Sequence, residues 1–209
     1  MNKNISLDYY FWELPAKDAT AHWWSQASGC FHRIFFIKEE LEKLAEKKDL
    51  QTLVTGLSYH LENYFYRVYE LRERIIGCLV AITKDNEITK LKSRKLRKSV
   101  ITRLNEKNSE LSDCVEQFLE QTDDAIALRN RHTHDQLLNI GINMNNEDIL
   151  DIGDVIENLE HNPVNSEKKK AISKNLRKKA VAFSRQYCTG IEKICEITQR
   201  FLGLTSNYL

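Results

Sequence analysis

The sequence predicts an all-α fold, an antiparallel bundle of four or five long helices in a single domain over residues 1–209. Three observations lead to this prediction. Only two prolines and seven glycines interrupt 209 residues, so helix-breaking residues are rare. Apolar residues recur at steps of three and four over long stretches, which is the period of a helix with one buried face. The links between these stretches are short, which favours antiparallel neighbours.

The second helical stretch carries the clearest pattern. It is expected from about Leu50 to Thr83, a length of roughly 50 Å at about 1.5 Å per residue. A polar break at residues 84–86 (Lys-Asp-Asn) is expected to end it. Its apolar stripe consists of Leu53, Leu57, Leu61, Tyr64, Val68, Leu71, Ile75, Leu79 and Ile82.

The other helices are expected on either side of this one. The first runs from about Pro15, a favourable first-turn residue, to about Lys48. The third starts with the basic segment KLKSRKLRKSVITRLNEK and continues through LSDCVEQFLEQTDDAIALRN. The last starts near Ser166, where the capping signal is weak, and ends near Leu204.

Two segments fall outside the helical pattern. Residues 1–14 are expected to form an N-terminal arm. Residues 141–165 are acidic and rich in asparagine, and they are expected to form a long loop with at most one short helix. Loops of that length usually have a function or are mobile.

Composition excludes several classes of protein. The 31 basic and 30 acidic residues give a net charge of +1, so global charge indicates no partner. Five dispersed cysteines without a CxxC pair are typical of reduced thiols in a cytosolic protein. The N-terminus MNKNISLDYYFWELP lacks the features of a signal peptide. No apolar run approaches the ~18 residues that a membrane span needs. These features predict a cytoplasmic protein without a membrane partner.

The segment ALRNRHTHDQ, residues 127–136, gathers hydrogen-bonding and titratable groups at one point of the third stretch. Arg129 is the next step of four after the predicted apolar stripe, so it points inward or toward a partner chain. Asn130 and His134 are four apart and share a helical face, so the amide can orient the imidazole. Arg129 and His134 lie roughly 140° apart around an ideal helix. Both side chains can contact one ligand in three ways. The long arginine side chain can extend toward it, the helix can break between them, or a second subunit can supply one of the two groups. The stripe consists of Leu111, Val115, Phe118, Thr122 and Ala125.

The RNxxxH pattern of Arg129, Asn130 and His134 resembles the RX4-6H motif of the HEPN superfamily. The Tyr- and Glu-rich segment YHLENYFYRVYELRERI at residues 59–75 also resembles a helix of some HEPN subfamilies. HEPN proteins are small helical bundles of prokaryotic toxin–antitoxin, abortive-infection and CRISPR-associated systems. Their active members are metal-independent endoribonucleases with sites formed across a dimer.

The resemblance implies a catalytic set and a reaction without metal or other cofactor. His134 is expected to transfer protons near neutral pH. Arg129 is expected to stabilise the charge on the scissile phosphate, and Asn130 to orient His134 or bind a phosphate oxygen. Attack by the RNA 2′-OH then leaves a 2′,3′-cyclic phosphate. His132 either assists in RNA binding or faces water.

A polar stripe on the second helix is a candidate wall of the same site. In the functional interpretation, Tyr66 lines a groove and Glu70 or Glu73 pairs with Arg129. In the alternative interpretation, the acidic residues form surface pairs with Arg67 and Arg74, which contribute only ~0.3–0.5 kcal/mol each. The stripe consists of Glu62, Tyr66, Tyr69, Glu70 and Glu73.

Two basic runs, residues 90–98 and 168–179, are candidate RNA-binding surfaces. The alternative is that each is a solvated helix face. The histidines are too dispersed to indicate a metal site. The RNA-binding candidates are Lys92, Arg94, Lys95, Arg97, Lys98, Lys174, Arg177 and Lys178.

The sequence therefore predicts a homodimeric, metal-independent endoribonuclease that acts as a toxin or phage-defence effector, with an antitoxin or regulatory protein as a possible partner. The alternative is a catalytically inactive HEPN-like module that binds a partner protein or nucleic acid. Gln136 stands where HEPN toxins modified by their antitoxins often carry a tyrosine, two residues past the histidine. The resemblance therefore does not extend to control by nucleotidylation at that position.

Overall fold

The fold is all-α, a helical bundle, as the sequence predicts. The computed structural model describes residues 18–134 and 166–209, without the side chains of residues 131–134, 166, 168 and 169. The predicted arm (1–14), the Pro15 start and the predicted loop (141–165) lie outside the described residues. The α-helices of the described part are α1 (Ala19–Ala45), α2 (Leu50–Thr83), α3 (Arg94–Lys107), α4 (Ser109–His134) and α5 (Ser166–Thr205). Short 3₁₀ segments span Asn86–Lys92 and Ser206–Tyr208.

Helix α2 has the bounds that its apolar stripe predicts. The side chain of Asp49 accepts a hydrogen bond from the Thr52 amide at 2.7 Å and so caps the first turn. The helix ends where Lys84 adopts a left-handed conformation, with φ at 54°, at the predicted polar break. The predicted stripe is buried from Leu53 to Leu79, and Ile82 is half-buried. Burial of this face, rather than helix propensity, is the main source of helix stability in a folded chain.

The third predicted stretch is not one helix. It consists of the 3₁₀ segment, α3 and α4, and residue Asn108 separates the last two. The Asn108 amide donates to the carbonyl of Leu104 at the end of α3, while its side-chain oxygen accepts from the Leu111 amide at 3.0 Å. Asparagine therefore ends one helix and caps the next, a local signal that the apolar pattern alone did not reveal.

The chain divides into two compact units. In unit one the described residues are 18–34, 67–124 and 193–209. The indole nitrogen of Trp24 donates to the carbonyl of Leu202 at 3.1 Å, in a buried contact that ties α1 to α5. The buried Ser112 hydroxyl donates to the carbonyl of Ile101 at 3.1 Å and ties α4 to α3. The core of this unit includes the fully buried rings of Phe118 and Phe201.

In unit two the described residues are 35–66, 125–134 and 166–192. The buried Ser184 hydroxyl donates to the carbonyl of Leu41 at 2.9 Å, and the Cys188 thiol donates to the carbonyl of Lys38 at 3.9 Å. Residue numbers rise along α5 as they fall along α1, so these helices are antiparallel here. Aromatic rings from α2 and α5 pack together at centroid distances of 4.8 to 6.3 Å; they are Tyr64, Phe65, Phe183 and Tyr187. The prediction of a single domain over residues 1–209 stays a prediction.

Gly77 on α2 is required for packing, which predicts opposite effects of alanine at two helical glycines. A Cβ at Gly77 would lie 2.5 Å from a ring carbon of Trp23. Gly77→Ala should therefore lower the free energy of unfolding by about 1–3 kcal/mol, the usual cost of overpacking. Gly190→Ala on α5 meets no atom within 4 Å and should raise it by up to ~1 kcal/mol through helix propensity. Urea denaturation of both variants measures the difference, and equal stabilisation by both would contradict the close contact with Trp23.

Candidate active site

The predicted apolar stripe of α4 is buried throughout, from Leu111 to Ala125. The next step of four brings Arg129, which is half-buried, and Asn130 beside it is exposed. The apolar stripe therefore ends at an arginine that lies at the edge of the buried core. The charged group reaches the surface at the position where the apolar pattern would otherwise continue.

The Arg129 guanidinium has an aromatic ring and an amide as neighbours. Its central carbon lies over the ring of Tyr66 on α2, 5.6 Å from the ring centroid. Its Nη1 donates to the side-chain oxygen of Asn130 at 3.1 Å. All three residues belong to unit two. The ring and the side-chain amide are both uncharged groups.

His134 is the last residue of α4, so the complete RNxxxH pattern lies at the C-terminal end of this helix. The side chains of His132 and His134 are outside the described part, and the distance between Arg129 and the imidazole stays a matter of prediction. For Asn130, the sequence suggested a contact to His134 or to phosphate. The structure places its side-chain oxygen on Arg129.

The two candidate carboxylates on α2 have partners within unit one. Glu70 accepts a hydrogen bond from Arg67 at 2.6 Å, in an i,i+3 pair on the helix surface, and from the Cys30 thiol at 3.9 Å. Glu73 forms an ion pair with Lys92 of the 3₁₀ segment. The pairing of either carboxylate with Arg129 stays a prediction.

Two arginines of the first basic run belong to an ion-pair cluster that the sequence analysis missed. We call this cluster, Asp123 with Arg72, Arg94 and Arg97, the Asp123 hub. Asp123 on α4 accepts two hydrogen bonds from Arg97 at 2.9 and 3.0 Å and one from Arg72 at 3.1 Å. Arg94 lies 3.3 Å from the same carboxylate. Three arginines from α2 and α3 therefore share one acid. The available signal was an aspartate directly after the apolar stripe position Thr122, in a chain with a basic run nearby.

The hub is partly buried, which affects the titration of its members. Burial would raise the pKa of Asp123, but the hydrogen bonds and charges of Arg97 and Arg72 outweigh it and hold the pKa below the ordinary value of 3.8. Burial lowers the pKa of Arg72, and the hydrogen bond to Asp123 opposes that effect. Asp123 is therefore ionised at neutral pH and supports folding as an anion.

The candidate RNA-binding residues fall into two groups. Lys92, Arg97 and Arg177 take part in intramolecular contacts; the Arg177 guanidinium donates to the carbonyl of Lys47 at 3.1 and 2.9 Å. A second group is exposed to solvent, and one of its members, Arg94, also lies 3.3 Å from the Asp123 carboxylate. The group consists of Arg94, Lys95, Lys98, Lys174 and Lys178.

Burial shifts the pKa of several other titratable groups toward their neutral forms. Burial lowers the pKa of His32 and of His60, which favours their neutral forms. Burial, and then Glu70, raise the pKa of the Cys30 thiol, and burial raises that of Cys78 to about 12. Among residues 18–134 and 166–209, no group of three or more His, Cys, Asp or Glu is placed to hold a metal ion.

One groove of unit two has neither Arg129 nor Asn130 in its lining. Its volume is about 370 Å³, and its walls come from α1 and α5. None of the predicted site residues lines it. Its charged lining residues are Lys38, Glu42, Glu46, Arg185 and Glu192.

Comparison with known proteins identifies one family. The family model described as HEPN_Cthe2314-like HEPN matches residues 28–202, a range that includes the whole RNxxxH pattern. No curated protein and no solved structure gave a significant match. Within the part of the chain described, none of the helices combines the length and the apolar character of a membrane span.

The Asp123 hub predicts a pH-dependent stability difference. Asp123→Asn leaves three arginines around a neutral amide, and we expect it to lower the free energy of unfolding by about 1–3 kcal/mol at pH 7. Because the folded-state pKa lies below 3.8, the carboxylate stabilises the fold above its unfolded pKa. This contribution is lost as pH falls through the folded pKa. The difference in melting temperature between wild type and variant should therefore shrink below about pH 4.

The matched control is Asp113→Asn, at an exposed aspartate on the same helix. We expect it to change the melting temperature little at any pH, as is usual for exposed charges. Equal effects of the two substitutions at pH 7 would show that the hub contributes nothing.

Proposed function

The chain belongs to the HEPN_Cthe2314-like HEPN family, whose model covers residues 28–202, and from this membership we propose that it is a metal-independent endoribonuclease. The proposed site is the RNxxxH pattern of Arg129, Asn130 and His134. A HEPN domain is consistent with a nuclease or toxin-type module. We further propose that the protein acts in the cytoplasm as a toxin or antiphage effector.

The observation that carries the proposal is the placement of Arg129. An arginine that follows a buried stripe is costly unless its charge meets an acceptor or an anion. This guanidinium lies at a partly exposed position, over the Tyr66 ring and hydrogen-bonded to the Asn130 side chain. A phosphate is the anion that a planar guanidinium binds best, through two parallel hydrogen bonds.

The proposed reaction is attack of an RNA 2′-OH on the adjacent phosphate. His134 would accept the 2′-OH proton or donate a proton to the departing 5′-oxygen, since an imidazole changes its charge near neutral pH. Arg129 would stabilise the charge that accumulates on the phosphate oxygens in the transition state. The bond from phosphorus to the 5′-oxygen breaks, and the products are a 2′,3′-cyclic phosphate and a 5′-hydroxyl.

We propose that two protomers form one site. Arg129 and His134 diverge by roughly 140° on an ideal helix, and a homodimer would bring the arginine of one copy to the histidine of the other. The exposed basic residues Arg94, Lys95, Lys98, Lys174 and Lys178 would bind the RNA backbone away from the cut. Such contacts are sensitive to salt.

The first test is RNA cleavage in EDTA. Wild-type protein should cut a single-stranded RNA, whereas His134→Ala should lose about 10²- to 10⁴-fold in rate and Arg129→Ala about 10²- to 10³-fold. A 2′-deoxy substitution at the scissile nucleotide should abolish cleavage there, because it removes the nucleophile. Gel electrophoresis and mass spectrometry of the fragment ends provide the measurements.

Two surface variants serve as controls. His22→Ala and Arg185→Ala remove an exposed histidine on α1 and an exposed arginine on α5, and both should keep wild-type rates. RNA binding without cleavage by any of the proteins would reject the enzyme and favour a silent binding module.

The shared site predicts complementation between two inactive variants. A heterodimer of Arg129→Ala with His134→Ala retains one intact arginine and one intact histidine, in different protomers. We expect it to recover measurable cleavage, since the two groups would act across the interface. Differently tagged chains, purified through both tags, isolate this species. No recovery, with each single-variant dimer also inactive, would mean that both groups must come from one protomer.

A further inference from the structure

We propose that the Asp123 hub and Lys98 form a binding site for a phosphate monoester, the group present at a phosphorylated RNA end and on a mononucleotide. All residues of this site lie in unit one, and none belongs to the RNxxxH pattern. The inference therefore does not rest on cleavage. Arg94 and Lys98 are among the residues proposed above to bind the RNA backbone, and the hub adds selectivity for a terminal phosphate.

The Asp123 carboxylate cannot satisfy all three arginines of the hub. A carboxylate has about four lone-pair positions for hydrogen bonds. Arg97 occupies two of them, at 2.9 and 3.0 Å, and Arg72 occupies a third at 3.1 Å. Arg94 approaches the same carboxylate with one nitrogen, Nη2, at 3.3 Å. Since a guanidinium has several N–H donors, most donors of Arg94 take no part in this contact.

The hub carries an excess of positive charge. Among residues 18–134 and 166–209, Asp123 is the only carboxylate within 4 Å of any of the three arginines. The neighbouring ion pair of Glu73 and Lys92 is neutral as a whole. The first turn of α3 contains no acidic residue. Three cations therefore share one anion, which leaves an excess of two positive charges.

This excess is costly because part of the hub is removed from water. Arg72 is 6 % exposed, and the side chain of Arg97 is 14 % exposed. Burial lowers the pKa of Arg72, the hydrogen bond to Asp123 raises it, and the charge of Arg97 lowers it again. Like charges repel more strongly where water is excluded. A second anion bound at the hub would reduce this repulsion.

Arg94 and Lys98 give a ligand access to the hub. The side chain of Arg94 is 71 % exposed, and Lys98 is exposed as well. The two residues are four apart on α3 and therefore neighbours on one face of the helix. A guanidinium binds two phosphate oxygens through parallel hydrogen bonds, and a lysine ammonium binds phosphate as a point charge.

The size of the charge excess indicates which phosphate group fits. A phosphodiester within an RNA chain carries a single negative charge. A phosphate monoester carries about 1.5 to 2 negative charges at neutral pH and has three acceptor oxygens. The excess of two positive charges therefore matches a monoester better. The proposed cleavage leaves a cyclic phosphate and a 5′-hydroxyl, neither of which is a monoester, so the site would bind the end of an incoming RNA.

The experiment compares the binding of short RNAs that carry a phosphate at the 5′ end, at the 3′ end or at neither. All of them carry 2′-O-methyl groups, so that they cannot be cut. We expect a terminal phosphate to tighten binding by about 10-fold or more, measured by fluorescence anisotropy at constant salt. Arg94→Ala and Lys98→Ala should each remove most of this preference. Arg94→Lys should retain only part of it, because an ammonium lacks the planar fork of a guanidinium.

Arg33→Ala and Lys193→Ala are the matched controls. They remove an exposed arginine on α1 and an exposed lysine on α5, both in unit one, and should leave the phosphate preference unchanged. Circular dichroism and thermal melting identify variants that fail to fold. Substitutions at the exposed Arg94 and Lys98 should cost little stability.

Asp123→Asn should have the opposite effect on binding. It increases the charge excess from two to three, and we expect it to tighten the binding of a terminal phosphate by about 3- to 30-fold, even though it destabilises the fold. Weaker phosphate binding by a folded Asp123→Asn protein would contradict the role of the charge excess.

Competition with adenosine 5′-monophosphate and with inorganic phosphate distinguishes the two sources of the monoester. Strong competition by the nucleotide, lost in Arg94→Ala, would support a mononucleotide site. Weak competition, with a preference for phosphorylated RNA, would support an RNA end. Equal binding of the three RNAs without competition would overturn the inference, as would a preference that survives both alanine substitutions.

These outcomes are separate from the test of the nuclease. Cleavage of ordinary RNA by wild type, without any phosphate preference, would overturn only the phosphate site. A phosphate preference that depends on Arg94, without cleavage, would overturn the nuclease and retain the site.

Discussion

The apolar stripe on α4 determines which face of the helix carries Arg129. Each buried position from Leu111 to Ala125 fixes the rotation of the helix against its neighbours, and that rotation leaves Arg129 at the edge of the interior. A helix cannot change the direction of one side chain without turning all of them. The Cα–Cβ bond of Arg129 therefore leaves α4 on the same face as the buried residue Ala125. Its neighbours Tyr66 and Asn130 only complete the orientation.

The arginines of this chain differ in the groups that they contact. Arg97 donates to the Asp123 carboxylate and Arg177 to the Lys47 carbonyl, and both contacts join helices and stabilise the fold. The Arg129 guanidinium lies over the Tyr66 ring and donates to the Asn130 side chain. A run of basic residues in a sequence does not show which contacts each arginine makes.

The fold was predictable from sequence because it depends on periodicity, whereas much of the site depends on contacts between distant residues. The stripes on α2 and α4 gave the helices, the bounds of α2 and the inward phase of Arg129. The break at Asn108 was missed because it depends on a side-chain cap, which is a local event within an otherwise helical pattern. The Asp123 hub joins residues 26 and 51 positions apart, and no periodic signal encodes such pairs. Tyr66 was predicted to line the site, but its contact with Arg129 needed coordinates.

All five cysteines of the chain are buried, and burial raises the pKa of several of them, to about 12 for Cys78. A thiol reacts with alkylating and spin-labelling reagents as the thiolate and only when a reagent can reach it. The natural thiols of the native protein should therefore react little with these reagents. A single cysteine introduced at an exposed position would be labelled selectively with the native residues left in place, and the distance between two such labels would map how copies of the chain assemble.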